Sequence, residues 1–137
     1  MSPEQKLLVQ ITYERLAPLA DSAGELFYQR LFELDPSLKP LFMGDMKEQG
    51  KMFMSMIGIA VNGLDRVGDL LPVVEDLGHG HAGYGVKDKD YDTVGAAFLG
   101  TLERVLGHHF TPEARLAWTA AYQMLARAMK QAAAAAA

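Results

Sequence analysis

The chain has 137 residues, enough for one domain with a real core and too few for two ordinary ones. Half of it is hydrophobic (50%) and 22% is charged, the balance of a folded globular chain rather than a disordered one. A net charge of -4 with no basic cluster argues against a nucleic-acid partner. The absence of cysteine removes disulfides, thiolate-bound zinc, iron–sulfur clusters and cysteine nucleophiles.

The N-terminus, Met1-Ser2-Pro3-Glu4-Gln5-Lys6, lacks the charged-then-apolar order of a signal peptide. No apolar run approaches membrane-spanning length, so a cytoplasmic protein with no membrane partner is expected. From Pro3 to about Leu19, the positions Leu7/Leu8, Ile11, Arg15/Leu16 and Leu19 recur at helical spacing, with Ser2-Pro3-Glu4 as the start. Ser22-Ala23-Gly24-Glu25 has the form of a capping box and predicts a second helix through Leu26, Phe27, Leu31 and Phe32, ending before Pro36. A turn-rich piece runs from Pro36 to Phe42.

The next helix is predicted from Met46 or Glu48 to Leu64, with Gln49, Met52/Phe53, Met56/Ile57, Ala60 and Leu64 on one side. Another runs from Val67 or Leu70 to His81, and after a loop from Gly83 to Asp90 a long one covers Tyr91 to Leu106. Thr111-Pro112-Glu113 combines an N-cap hydroxyl, a proline at the first helical position and an acid facing the helix dipole, and opens the last helix. Nothing alternates with period two, so the expected class is all-α, with no linker and no internal repeat. Ala132 to Ala137 form a low-complexity alanine tail.

His81 stands at helical spacing below Leu77 and Val73 or Val74, an imidazole ending an apolar stripe. A neutral imidazole is the commonest protein metal ligand, and an apolar wall behind it suits a flat hydrophobic cofactor better than a hydrolytic metal. A lone histidine near a helix end is more often a packed or capping residue, so neighbours must decide. His79 lies about 200 degrees round a helix from His81, which opposes a two-histidine site. His108 and His109 follow a helix end, where a cation suits the dipole. The chain has no His-Glu-x-x-His, glycine-rich phosphate loop or nucleophile elbow. Upstream of His81 stand Tyr28, Phe42 and Gln49, each of which taken singly reads as an ordinary core or surface residue.

Jointly they form a known pattern. Leu26-Phe27-Tyr28-x-x-Leu31-Phe32-x-x-x-Pro36, then Leu41-Phe42, then Leu70-Leu71-Pro72-Val73-Val74-Glu75-Asp76-Leu77-Gly78-x-x-His81-x-x-Tyr84-Gly85-Val86 stand in order. Tyr91-Asp92-Thr93-Val94-Gly95 and Leu106-Gly107-x-x-Phe110-Thr111-Pro112-Glu113-Ala114-x-x-Ala117-Trp118-x-x-x-Tyr122 follow. The chain resembles the globin family, specifically its single-domain bacterial, flavohaemoglobin-type and neuroglobin-like branches, from Glu4 to about Gln131.

That resemblance implies one globin domain over residues 1–137, with about six to eight helices around a haem pocket. It implies haem b (iron protoporphyrin IX), with His81 as the proximal iron ligand and its other ring N–H held by a carbonyl near Leu77. Phe42 matches the phenylalanine packed on the haem, Phe53 the apolar residue over the iron, and Tyr28 and Gln49 the distal pair. Met52, Leu77, Tyr84, Val86, Tyr91 and Val94 are the further positions expected beside the cofactor. A phenol O–H and an amide N–H aimed at a polarised oxygen molecule slow its departure, about tenfold for each hydrogen bond, so tight oxygen binding is expected.

Two departures from the pattern narrow the expectation. Tyr91, ten residues after His81, matches a tyrosine that supports a glutamate behind the proximal histidine in flavohaemoglobin-type globins. The glutamate position falls near Ala133, so this chain shows no such acid. Neuroglobins place a histidine where Gln49 stands, and glutamine is a poor iron ligand. A pentacoordinate or weakly six-coordinate iron follows. Met43, Met46, Met52, Met54 and Met56 crowd the distal region, chiefly as flexible gap-fillers.

The implied function is reversible binding of O2, NO and CO, with nitric oxide dioxygenase-type detoxification served by a separate reductase. The alternative is a gas sensor or an electron-transfer relay. A monomer or weak homo-oligomer is expected.

Overall fold

The computed structural model describes residues 1–42, 44–66, 68, 72–76 and 87–136, with the backbone alone at 133, 135 and 136. Helix α1 (Pro3–Leu16) opens as the sequence predicts. The Ser2 hydroxyl accepts from the Gln5 N–H at 3.1 Å and the Gln5 side chain accepts from the Ser2 N–H at 3.0 Å, so two of the end donors are satisfied reciprocally. The chain tightens into a 3-10 turn over Ala17–Leu19 and continues at once into α2 (Ala20–Leu34). The capping box expected at Ser22 therefore does not open this helix. Ser22 already lies inside it, because Pro18 sits in the 3-10 turn, where its missing N–H costs little, and the only departure from helical backbone between the two helices is at Leu19 (φ -107, ψ 16), three residues before Ser22.

Helix α2 stops before Pro36, as predicted. The Asp35 carboxylate accepts from the Ser37 N–H at 3.0 Å and starts a 3-10 segment over Pro36–Leu41 that delivers Phe42. Helix α3 (Met46–Asn62) starts from Asp45, whose carboxylate accepts from the Lys47 N–H at 2.9 Å. Its buried residues are Gly50, Met54, Gly58, Ala60 and Val61. The apolar stripe read from the sequence shares Ala60 with this set, reaches the fully buried Leu64 and packs on the core through Phe53 and Ile57, while Met52 is exposed. Gly50 and Gly58 escape a hydrophobicity reading, since they contribute closeness rather than apolar bulk.

Residues 68 and 72–76 are helical; the rest of the helix expected to reach His81 lies outside the described residues. Helix α4 (Asp88–Leu106) begins three residues earlier than expected. The Asp90 carboxylate accepts from the Lys87 N–H at 2.8 Å, so acids that read as loop form a first helical turn suited to the dipole. Helix α5 (Pro112–Ala136) is capped by the Thr111 hydroxyl, which accepts from the Ala114 N–H at 3.1 Å, and includes nearly all of the alanine tail.

Among the described residues there is no strand, and no helix is long and apolar enough to cross a membrane. Helix α2 packs chiefly on α3 and α4, and α1 on α5. Phe27, Leu31, Phe98, Leu102, Val9 and Leu16 are the centre of the core. Where α1 meets α5, the buried Trp118 Nε1 donates to Thr12 Oγ1 at 2.7 Å, and that hydroxyl donates to the Leu8 carbonyl at 2.6 Å. This chain of bonds satisfies polar groups that would cost about 1–3 kcal/mol if buried alone.

Candidate functional site

The geometry of the site begins with two glycines. Helices α2 and α3 cross at Gly24 and Gly50, so closely that a Cβ on Gly24 would lie 2.7 Å from the Gly50 carbonyl oxygen. Tyr28 is one turn beyond Gly24 and Gln49 directly precedes Gly50, so the crossing fixes how far apart the two helices carry them. Phe53 follows Gly50 by one turn on α3.

Tyr28, Phe42 and Phe53 come together as the sequence implies. The Tyr28 ring stands edge-on to Phe42 at 5.1 Å, to Phe53 at 6.3 Å and to Phe27 at 4.9 Å between centroids. Phe32 closes the cluster at 6.0 Å from Tyr28 and 5.7 Å from Phe42. Phe42 and Phe53 are half-buried and pack on the core, as does Val94 on α4. Gln49 is half-buried in the first turns of α3. Met52 is 62% exposed, so the side of α3 that it occupies is not the one the aromatic rings fill.

The Tyr28 residue is 6% exposed, and its hydroxyl makes no hydrogen bond among the described residues. No fully enclosed side-chain oxygen or nitrogen lacks a partner among the described residues. The phenol oxygen must therefore be the part of Tyr28 that a water-sized molecule can reach. Burial of the ring pushes its pKa up to about 12, which keeps the O–H a donor. A protonated phenol with no partner among the described residues, beside aromatic rings, is able to donate to a small molecule that reaches it.

Tyr91 is buried on α4, and burial, helped by the Asp88 carboxylate, raises its pKa. Its carbonyl accepts from the Tyr122 hydroxyl at 2.6 Å, and Lys130 Nζ lies 5.6 Å from its ring centroid. His81, Leu77, Tyr84 and Val86 lie outside the described residues, as does Met43. His108 and His109 stack at 4.1 Å, with Arg15 Nη1 3.3 Å from His109 Nε2. Desolvation together with the Arg15 charge lowers the His109 pKa, which favours the neutral ring that can accept from the guanidinium. Sequence reasoning missed Phe27, Gly24 and Gly50 as parts of the site; only their spacing from Tyr28 and Gln49 signals them.

A protein-family model described as Globin matches residues 25–129. The chain belongs to the globin family.

This globin is 33% identical over 129 residues to the flavohemoprotein of Bordetella parapertussis, a match that covers 92% of this chain and 32% of that protein. It is 33% identical over 118 residues to the flavohemoprotein of Bacillus subtilis, covering 81% of this chain and 30% of that protein. The chain thus spans about a third of the length of the curated relatives it matches. Its fold is that of a bacterial globin from Campylobacter jejuni, with a TM-score of 0.87 at 23% identity over 98% of this chain and 97% of the other. Membership implies a haem cofactor. The residues present fit one, since the flat apolar rings of Phe42 and Phe53 lie beside a hydroxyl donor with no partner among the described residues.

Proposed function

We propose that this globin holds haem b through His81, binds O2, NO and CO, and retains O2 through Tyr28 and Gln49. It further converts nitric oxide to nitrate with electrons from an external reductase. The Tyr28 hydroxyl, carried on a buried ring and without a partner among the described residues, is the observation that carries this reading.

When bound, the haem iron supplies the position at which a diatomic gas binds and the electron that the conversion of nitric oxide requires. The chain's own residues set how long oxygen stays. Tyr28 Oη donates its proton in a hydrogen bond to the bound gas, and its raised pKa keeps that proton in place across the physiological range. The Gln49 amide offers a second donor from the opposing helix. Each such bond contributes roughly 1 kcal/mol, close to a tenfold change in release. Phe42 and Phe53 border the Tyr28 donor with apolar rings, which lowers the local dielectric and strengthens its hydrogen bond.

The overall conversion joins nitric oxide, dioxygen and one electron into nitrate, so repeated turnover requires a reductant. The relatives' name, flavohemoprotein, couples a flavin to a haem, and a flavin-bearing donor is the class of reductase that suits this chain. The test is nitrate formation by the haem-loaded protein under oxygen and nitric oxide. With a reductant supplied, many equivalents of nitrate per chain are expected; a yield that stops near one equivalent under those conditions would make the protein a gas binder or sensor instead.

A further inference from the structure

Among the described residues no group accepts a hydrogen bond from the Tyr28 hydroxyl, so what they contribute to the orientation of its ring is packing. Two of the surrounding rings, Phe42 and Phe53, are themselves partly exposed. Phe27 is different, being 2% exposed at the centre of the core. Its ring lies flat on Phe53, with centroids 3.9 Å apart and planes within 4°, and stands against Tyr28 at 4.9 Å and 71°. Phe98 on α4 braces the stacked pair from the side, 6.5 Å from Phe27 and 5.7 Å from Phe53.

We infer that Phe27 is a positioning residue for the distal donor: its flat contact with Phe53 and edge contact with Tyr28 hold both side chains in register across the α2–α3 crossing. Edge-on and stacked rings have preferred geometries that an aliphatic side chain of similar size does not impose. A branched aliphatic residue here would fill the core yet leave Tyr28 free to sample orientations in which its O–H misses the bound gas. The inference rests on the proposed role of Tyr28.

The test compares haem-loaded wild type, Phe27→Leu, Tyr28→Phe and the double variant, with Leu102→Ala as a control for lost core packing at a fully buried α4 position. Phe27→Leu should speed oxygen release by about threefold to tenfold, but by less than about 1.5-fold in the Tyr28→Phe background, because it acts through the hydroxyl. In the carbon monoxide-saturated protein its C–O stretching band should broaden or split, and NMR of ring-labelled tyrosine should show Tyr28 flipping faster. Leu102→Ala should lower stability and leave the band and the ring unchanged. Phe27→Met provides the same comparison if Phe27→Leu fails to retain haem.

An unchanged band and unchanged Tyr28 flipping in a folded Phe27 variant would overturn the inference, and so would an effect equal in both backgrounds. If Tyr28→Phe itself leaves oxygen release unchanged, the proposed distal role fails. The ring-flip measurement still decides whether Phe27 holds Tyr28.

Discussion

At Tyr28, burial and chemistry act in the same direction. Removing the ring from water raises its pKa from the ordinary 10.0 to about 12, which favours the protonated form that can donate. The sign for stability follows from the unfolded chain, which loses this proton first as pH rises. The associated stabilisation is complete below pH 10.0 and is lost as pH climbs through about 12. Oxygen release is therefore expected to be flat between about pH 6 and about pH 9, where the phenol stays protonated. Stopped-flow release across that range checks it, and a titration near neutrality would assign control to another group. The proximal side offers an equally sharp choice between two histidines of one short motif. His81→Ala should abolish stable haem retention while His79→Ala leaves it nearly intact, as read by the intense violet absorption band of the purified variants; equal losses would mean that the ligand is misassigned.

Among the elements, the crossing of α2 and α3 matters most for the site. Gly24→Ala would place a methyl group 2.7 Å from a backbone oxygen, and backbone cannot swing aside as a flexible side chain can. The helices must part, at a cost of about 1–3 kcal/mol, and the Tyr28–Gln49 spacing opens with them. Gly100, inside α4, is the counterpart. A Cβ there meets nothing nearer than Arg30 Nε at 3.8 Å, ordinary contact, so Gly100→Ala should stabilise by roughly 0.5–1 kcal/mol through helix propensity. Urea midpoints moving in opposite directions would confirm the distinction; equal shifts would refute it. Helix ends were legible wherever a cap has a chemical signature, as at Ser2 and Thr111. The start of α2 was not, because Ser22 carries the residue type of a cap without the break in backbone that makes one. The glycine row of α3 was missed for a related reason: Gly50 and Gly58 work by letting Gly24 and the Tyr13 hydroxyl come close, and periodicity counts only apolar bulk.

For the molecule as a whole, the all-α class and the globin fold were readable because helical spacing persists along the chain and the aromatic landmarks fall in order. Tyr28, Phe42 and Phe53 were assigned one by one and do meet. What spacing could not convey is the ring-on-ring geometry that Phe27 imposes, since a buried phenylalanine on a core face looks like any other. Nor could it show that the Tyr28 hydroxyl lacks a partner among the described residues, which depends on every side chain packed around it. That hydroxyl is the centre of the account, and stopped-flow oxygen dissociation from the haem-loaded Tyr28→Phe variant tests it most directly. Loss of one donor worth roughly 1 kcal/mol or more predicts release about tenfold faster than wild type. A rate equal to wild type would contradict the assignment of Tyr28 as the residue that holds oxygen.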